Sequence, residues 1–260
     1  MMHRTVRGRI RYTSKKPEML DAERGREWFS FTHHGDGSAI LNAHCEIEEP
    51  APTVMRDIIY AIGPDGRPRN LHVHLVVGDV FMGSGWLNLA QGEQGGDGGR
   101  IECESVGPSI GRVSQRLDFT GALDGFGTHP IVGDGYLTKC MDVARGPHRR
   151  TIRVFVPSPD HRGATPPIAS EVVIDLAYLG DETVTVTAGT FACRRFAFID
   201  TSETGMGGKQ HPHYEMWVTA DDDAIFVQGG VGGYMATWYE LIELTRQGAT
   251  GTIPAALKLA

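Results

Sequence analysis

Leu41-Asn42-Ala43-His44-Cys45-Glu46-Ile47 alternates apolar and polar residues without a break. Side chains two apart on a strand share a face, so Leu41, Ala43, Cys45 and Ile47 line one side, and Asn42, His44 and Glu46 the other. This is the signature of a half-buried strand. The strand predicted over Ala39–Glu48 follows the turn His33-His34-Gly35-Asp36-Gly37-Ser38, with a partner strand at Glu27–Thr32 before it, so the two form a hairpin.

The same alternation extends in both directions. Val6, Ile10 and Tyr12 alternate with Arg7, Arg9 and Arg11. Arg56–Ile62 and Asn70–Val77 form a hairpin across Gly63-Pro64-Asp65-Gly66-Arg67-Pro68. In the second of these strands Leu71, Val73, Leu75 and Val77 face one way, and His72, His74 and Val76 the other. Further strands are predicted at Val80–Leu89, Arg100–Val106, Arg112–Leu117, Thr151–Val156, Glu171–Leu179, Thr183–Ala188, Thr190–Asp200, His211–Ala220, Ala224–Gln228 and Tyr234–Leu244. Gln91–Gly99 reads as a glycine-rich loop, Gly229-Gly230-Val231-Gly232-Gly233 as a hairpin loop rimming a site, and Thr245–Ala260 as a surface tail. Between residues 118 and 148 the alternation fails, leaving an irregular insertion with room for one short helix over Asp134–Asp142.

About a dozen strands with almost no amphipathic helix define an all-β chain. The expected architecture is a large antiparallel barrel or two packed lipocalin-like half-barrels. Residues 1–260 then form a single all-β domain with two pseudo-repeat halves, 1–117 and 149–244, joined by the insertion 118–148.

The C-terminal third carries three stretches, Val186-Thr187-Ala188-Gly189-Thr190-Phe191, Trp217-Val218-Thr219-Ala220-Asp221 and Tyr239-Glu240-Leu241. It resembles uncharacterised bacterial domains related to the lipoprotein-carrier half-barrel. The resemblance implies a curved antiparallel sheet wrapped around an apolar ligand. Those relatives are mostly exported.

Composition narrows the partners. The 260 residues carry a net charge of −7, and no basic stripe is interleaved with aromatics, so nucleic acid is not an expected partner. No apolar run approaches the roughly 20 residues of a membrane helix, so no membrane partner is expected. Met1 to Lys16 is polar with no apolar signal core, and Cys45, Cys103, Cys140 and Cys193 lie far apart with no C-x-x-C pair. The reading is of a cytoplasmic chain with free thiols. Glycine-rich loops leave room for a homo-oligomer without requiring one.

Two His-x-His pairs stand out, His72-Val73-His74 and His211-Pro212-His213, the second continuing through Tyr214 to Glu215. Each pair puts two imidazoles on one face of a strand, and His213 and Glu215 share theirs. If both faces line one cavity, His72, His74, His211, His213 and Glu215 supply a general base, a general acid and an orienting carboxylate. His44, His129, Trp217, Trp86 and Tyr239 are the candidate substrate contacts, with Tyr234 a further phenol donor. Trp28, Phe29, Phe81 and Trp238 are further candidates for an apolar wall, besides their ordinary role in core packing. Phe126–Gly135, carrying His129 and Asp134 and preceded by Asp124, is a candidate lid. As a plain structural alternative, these polar strips are the solvent side of the sheet and that segment an ordinary surface loop.

The leading functional expectation is a lyase or isomerase that needs no cofactor. It would act on a small apolar or aromatic molecule by dehydration, retro-aldol-type loss of a fragment, or a proton shift. The alternatives are a non-catalytic carrier for an apolar molecule, and a metalloenzyme using His72, His74, His211 and His213 as ligands. Gly107-Pro108-Ser109-Ile110-Gly111 matches G-x-S-x-G, but the chain lacks the crossover helices of a nucleophile elbow, so a β-turn is expected. Gly95–Gly99 opens no helix after a parallel strand and carries no dinucleotide fingerprint.

Overall fold

The computed structural model describes residues 3–90, 98–201 and 211–248, with backbone alone at 200 and 201. These residues form one continuous sheet of fifteen strands. The first half runs β1 (Arg4–Ser14), β2 (Glu23–His33), β3 (Ala39–Ile47), β4 (Val54–Ile62), β5 (Pro68–Val77), β6 (Val80–Ala90), β7 (Gly98–Gly107) and β8 (Gly111–Thr120). A two-residue strand β9 (Gly125–Phe126) and helix α1 (Ile131–Leu137) occupy the insertion. The second half runs β10 (His148–Val156), β11 (Ser170–Val186), β12 (Gly189–Thr201), β13 (Tyr214–Thr219), β14 (Phe226–Val231) and β15 (Thr237–Gln247).

Every ladder is antiparallel except that of β9 with β10. Consecutive strands lie side by side in each half, and β1 pairs with β15, so the halves join at the chain's two ends. The sheet opens between β8 and β9 and curls until these edges approach. Across that opening Gln115 of β8 donates Nε2–H to the Ala169 carbonyl (3.4 Å) and accepts the Ala169 N–H at Oε1 (2.9 Å).

Alternation places the core. Val6, Ile10 and Tyr12 of β1, Leu41 and Cys45 of β3, and Leu71, Val73 and Leu75 of β5 all face inward. A Cβ on Gly8 would run into the Phe29 ring, so the ring of β2 fills the gap in the β1 pattern. The second half contributes Ile152, Val154, Leu176, Phe196, Met216, Val218 and Leu241 to the same core.

The insertion lies inside this curl, with α1 against β13 and β14. The helix is a poor one by sequence: Gly133 and Gly135 each cost about 1 kcal/mol against alanine. Both glycines are needed for close approach. A Cβ on Gly135 would come within 2.9 Å of the Phe226 backbone nitrogen, and one on Gly133 would overlap the Thr128 hydroxyl.

Several predicted boundaries move. The strands expected at Glu171–Leu179 and Thr183–Ala188 are one strand of 17 residues, carried across a register shift between Tyr178 and Gly180. The helix starts at Ile131 rather than Asp134 and gives way to a 3-10 turn at Thr138–Cys140. Gly229, Gly230 and Val231 belong to β14 rather than to a loop. Gly107–Gly111 is the β7–β8 turn. Most of the predicted Gln91–Gly99 loop and most of the Thr245–Ala260 tail lie outside the described residues. Among the described residues no helix is long and apolar enough to cross a membrane.

Gln115→Ala removes both hydrogen bonds of the lateral clasp and leaves the buried Ala169 N–H without its acceptor. The expected cost is about 1–3 kcal/mol, read as a lowered urea midpoint. An unchanged midpoint would show that the clasp carries no closure.

Candidate functional site

The outward parity takes most of the sequence-selected residues away from the interior. His72 and His74 alternate with buried Leu71, Val73 and Leu75, and so lie on the outer surface of β5. His72 Nε2 meets the Ser84 hydroxyl at 3.1 Å, and His74 stacks on Phe81 with ring centroids 5.2 Å apart. His44 is on the same surface, held by Asp57 (2.7 Å) and Glu46 (3.3 Å). Burial works against its charged form, but these two carboxylates outweigh it and raise the His44 pKa.

His213 and Glu215 do meet, at 3.1 Å, but on the outside, where Arg195 also binds Glu215 at 2.6 Å. Burial would raise the Glu215 pKa; the His213 ring and the Arg195 guanidinium outweigh it and hold the carboxyl below its usual range. Trp217 is buried in a separate outer cluster with Val184, Cys193 and Val227, its indole N–H on Glu182 at 2.7 Å. Trp86, Trp28 and Phe81 take the outward parity, and Trp238 packs on the Trp217 cluster; of the proposed aromatic wall, only Phe29 joins the interior. The four histidines of the two pairs therefore do not converge.

A different set does. A cavity of about 290 Å³ opens among β1–β3, β10–β15, the insertion and residues 157–169. His129, His211 and Tyr239 from the sequence-selected residues line it. So do Asp134 and Tyr234, together with Tyr12, Tyr214, His161, Arg24 and Arg162.

The floor is built on Glu27. This carboxyl sits at an inward position of β2, opposite Ile10 and Cys45, and is wholly buried. It accepts the Tyr12 hydroxyl (2.5 Å), the Ile131 N–H (2.7 Å) and the Val132 N–H (3.1 Å). Helix α1 follows Pro130 and has no side-chain cap of its own. Glu27 supplies that cap from another part of the chain. Burial pushes its pKa up to about 7 against the pull of these three donors.

Asp134, on α1, keeps some accessible surface because it lines the cavity, yet protein encloses it on its other sides. Burial, then the neighbouring Glu27 charge, raises its pKa to about 8. The Tyr214 hydroxyl is its electrostatic neighbour and makes no hydrogen bond of normal geometry. Asp134 thus holds a proton near neutrality, and Glu27 titrates there.

The histidines on the wall are the reverse case. His129 has a left-handed backbone, φ 68°, uncommon for a residue with a side chain. Its Nε2–H donates to the Asp160 carbonyl at 2.9 Å, leaving Nδ1 buried as an acceptor with no hydrogen-bond partner. Burial, then the nearby Arg56 guanidinium, depresses its pKa to about 3. His211 donates Nδ1–H to the Pro212 carbonyl at 2.7 Å, and burial depresses its pKa to about 4. His161 bonds the Tyr234 hydroxyl, and its ring meets His211 edge-on at 5.2 Å. Among the described residues no group of three His, Cys, Asp or Glu is placed to hold a metal ion.

Comparison with known proteins adds fold and no chemistry. A β-barrel-like protein of the domain of unknown function DUF1849 from Brucella abortus superposes with a TM-score of 0.58 and 12% identity, over 94% of this chain and 97% of that one. The likeness is one of fold. A putative exported protein with a YmcC-like fold from Bacteroides fragilis gives a TM-score of 0.33 at 8% identity, over 94% and 95% of the two chains. No family model matches the chain, and no curated protein matches it.

Glu27, Arg24, Tyr12, Arg162 and His161 were absent from the sequence-selected set. Glu27 had a visible signal: in Glu27-Trp28-Phe29-Ser30-Phe31 the carboxyl shares the parity of Phe29 and Phe31. Loop residues His161 and Arg162 had none.

These shifts fix a pH profile. Folded Glu27 and Asp134 retain protons that the unfolded chain releases, so their contribution to stability is lost as pH rises from the ordinary carboxylate range through about 7 and about 8. The two depressed histidines act oppositely: the unfolded chain takes up protons below about 6.5, so stability falls as pH drops. Above that value the two carboxyls act, joined in the same sense by His44, whose pKa is raised. Urea midpoints are expected to fall from about pH 6.5 to 8, and in Asp134→Asn to fall less and to level off once Glu27 has titrated near pH 7. A flat wild-type profile would contradict the protonated floor.

Proposed function

We propose that this protein is a carrier that shelters a small, largely apolar molecule in the cavity. The observation that supports it is the wall. Val156, Val172, Ile174, Phe198 and Val231 give the space an apolar wall between its polar residues, and its volume is close to the roughly 300 Å³ at which small-molecule sites begin. Asp134, protonated near neutral pH, presents a neutral hydroxyl rather than charge. This reading agrees with the resemblance of the C-terminal third to lipoprotein-carrier half-barrels. The scattered outer histidines favour it over catalysis by two converging His-x-His pairs.

One observation favours a second reading, the lyase or isomerase. Asp134 faces the cavity with a proton it can give up near pH 8, beside Tyr214, whose hydroxyl has no bonded partner of normal geometry. A general acid so placed, with a phenol beside it to position it, suits protonation of a developing anion. Under this reading Asp134 takes an acid-base role expected of the two His-x-His pairs and Glu215.

Phenylnaphthylamine, which fluoresces in apolar surroundings, tests the carrier. Saturable binding of one molecule per chain is expected, lost in Ile174→Trp while the melting temperature stays close to wild type. Absence of saturable binding, or unchanged binding in the filled variant, would overturn it. Asp134→Asn separates the two readings: a carrier keeps its affinity for the dye, and a substrate screen finds no turnover that the substitution abolishes.

A further inference from the structure

The mouth of the cavity differs in kind from its floor. Lys16, Arg24 and Arg162 line it, together with the carboxylate of Asp160. Lys16 binds Glu49 at 2.7 Å, and Arg24 approaches the same carboxylate at 3.3 Å. Three cations therefore gather around two carboxylates, in a chain whose net charge is −7.

Arg162 is the least compensated of them. Its Nη2 bonds the Pro50 and Pro52 carbonyls, which carry no charge. Its Nε is buried with no hydrogen-bond acceptor. Burial, opposed by Asp160 and aided by the like charge of Arg24, lowers its pKa. A guanidinium is a fork of five donors suited to a carboxylate or phosphate. Here it lines a cavity with Nη2 committed to the two carbonyls and Nη1 left for a ligand.

We infer that the molecule held in this cavity is an amphiphile with one anionic head, its chain against Val172, Ile174 and Phe198 and its head at Lys16, Arg24 and Arg162. The floor fixes this direction. A negative head beside Asp134 would meet an acidic group, whereas Lys16, Arg24 and Arg162 offer it a surplus of positive charge. The volume of about 290 Å³ suits a medium-length aliphatic chain. The inference rests on the carrier reading and adds the class and orientation of the ligand.

Three probes of equal chain length test it by calorimetry at neutral pH: decanoate, decanol and decyltrimethylammonium. Decanoate is expected to bind tighter than decanol by about tenfold or more, the worth of a charge-assisted hydrogen bond. Decyltrimethylammonium should bind weakest. Arg162→Gln should bring decanoate to the level of decanol and leave decanol unchanged. Should that variant misfold, Lys16→Gln and added salt serve instead, since both should weaken decanoate alone. Equal binding of decanoate and decanol, insensitive to these changes, would overturn the anionic head while the apolar carrier stands. If none of the three binds, the carrier reading falls with it.

Discussion

Glu27 is the group on which the rest of the structure depends. An ionised carboxyl at an apolar position of a strand is costly unless it is hydrogen-bonded or neutralised. Three donors, the Tyr12 hydroxyl and the Ile131 and Val132 N–H groups, converge on it. Two of these belong to a helix of 7 residues with two glycines and no cap of its own. Such a segment is too short and too weak to be helical alone. It holds because Glu27 satisfies its first turn and because Gly133 and Gly135 let it pack almost backbone to backbone. With α1 fixed inside the curl, Asp134 and His129 are carried to the cavity.

A second inward polar residue plays the matching part for the other connection. Arg56 pairs with Cys45, which pairs with Glu27, so both charged groups stand in one row of the sheet. Adjacent strands are about 4.8 Å apart, which puts the two backbone positions roughly 10 Å from each other. They do not bond one another. Arg56, 1% exposed, reaches the Gly163 carbonyl in the 157–169 connection. That connection also brings Arg162 to Pro50 and Pro52, and ends at Ala169 on the Gln115 clasp. An open sheet of fifteen strands thus becomes barrel-like through single polar side chains rather than a closing ladder.

Much of this architecture was legible in the residues, because a period of two is a local property. Strand positions, hairpins and the opposed faces of β3 and β5 follow from alternation alone. The long β11 was read as two strands because Gly180-Asp181-Glu182 resembles a turn, whereas the register shift there absorbs the irregularity. Alternation does not say which face is inside when a strand carries histidine opposite leucine, and His72 and His74 take the wet side. On β13 the parity argument separated Tyr214 from Glu215 correctly, and the interior received the tyrosine. The cavity is lined largely by residues that alternation cannot place. Glu27 is a carboxyl at an apolar parity, and His161 and Arg162 lie in a connection whose position is set by contacts 70 or more residues away, with Tyr234 and with Pro50.

The polar lining of the cavity is a burden on the fold. An acid kept protonated, a buried imidazole acceptor with no donor, and a guanidinium with an unused Nε each forgo interactions available in water. A chain selected for stability alone would fill such a space with leucine and valine, as the first half of this sheet does. The unfilled donors and acceptors are also unevenly distributed: neutral hydroxyls gather at the floor, apolar carbon along the walls, and positive charge at the mouth. Random imperfections of packing would not sort by polarity along one axis. A molecule with an apolar body and one charged end has that same order, and its binding would satisfy the mouth without asking the floor to ionise.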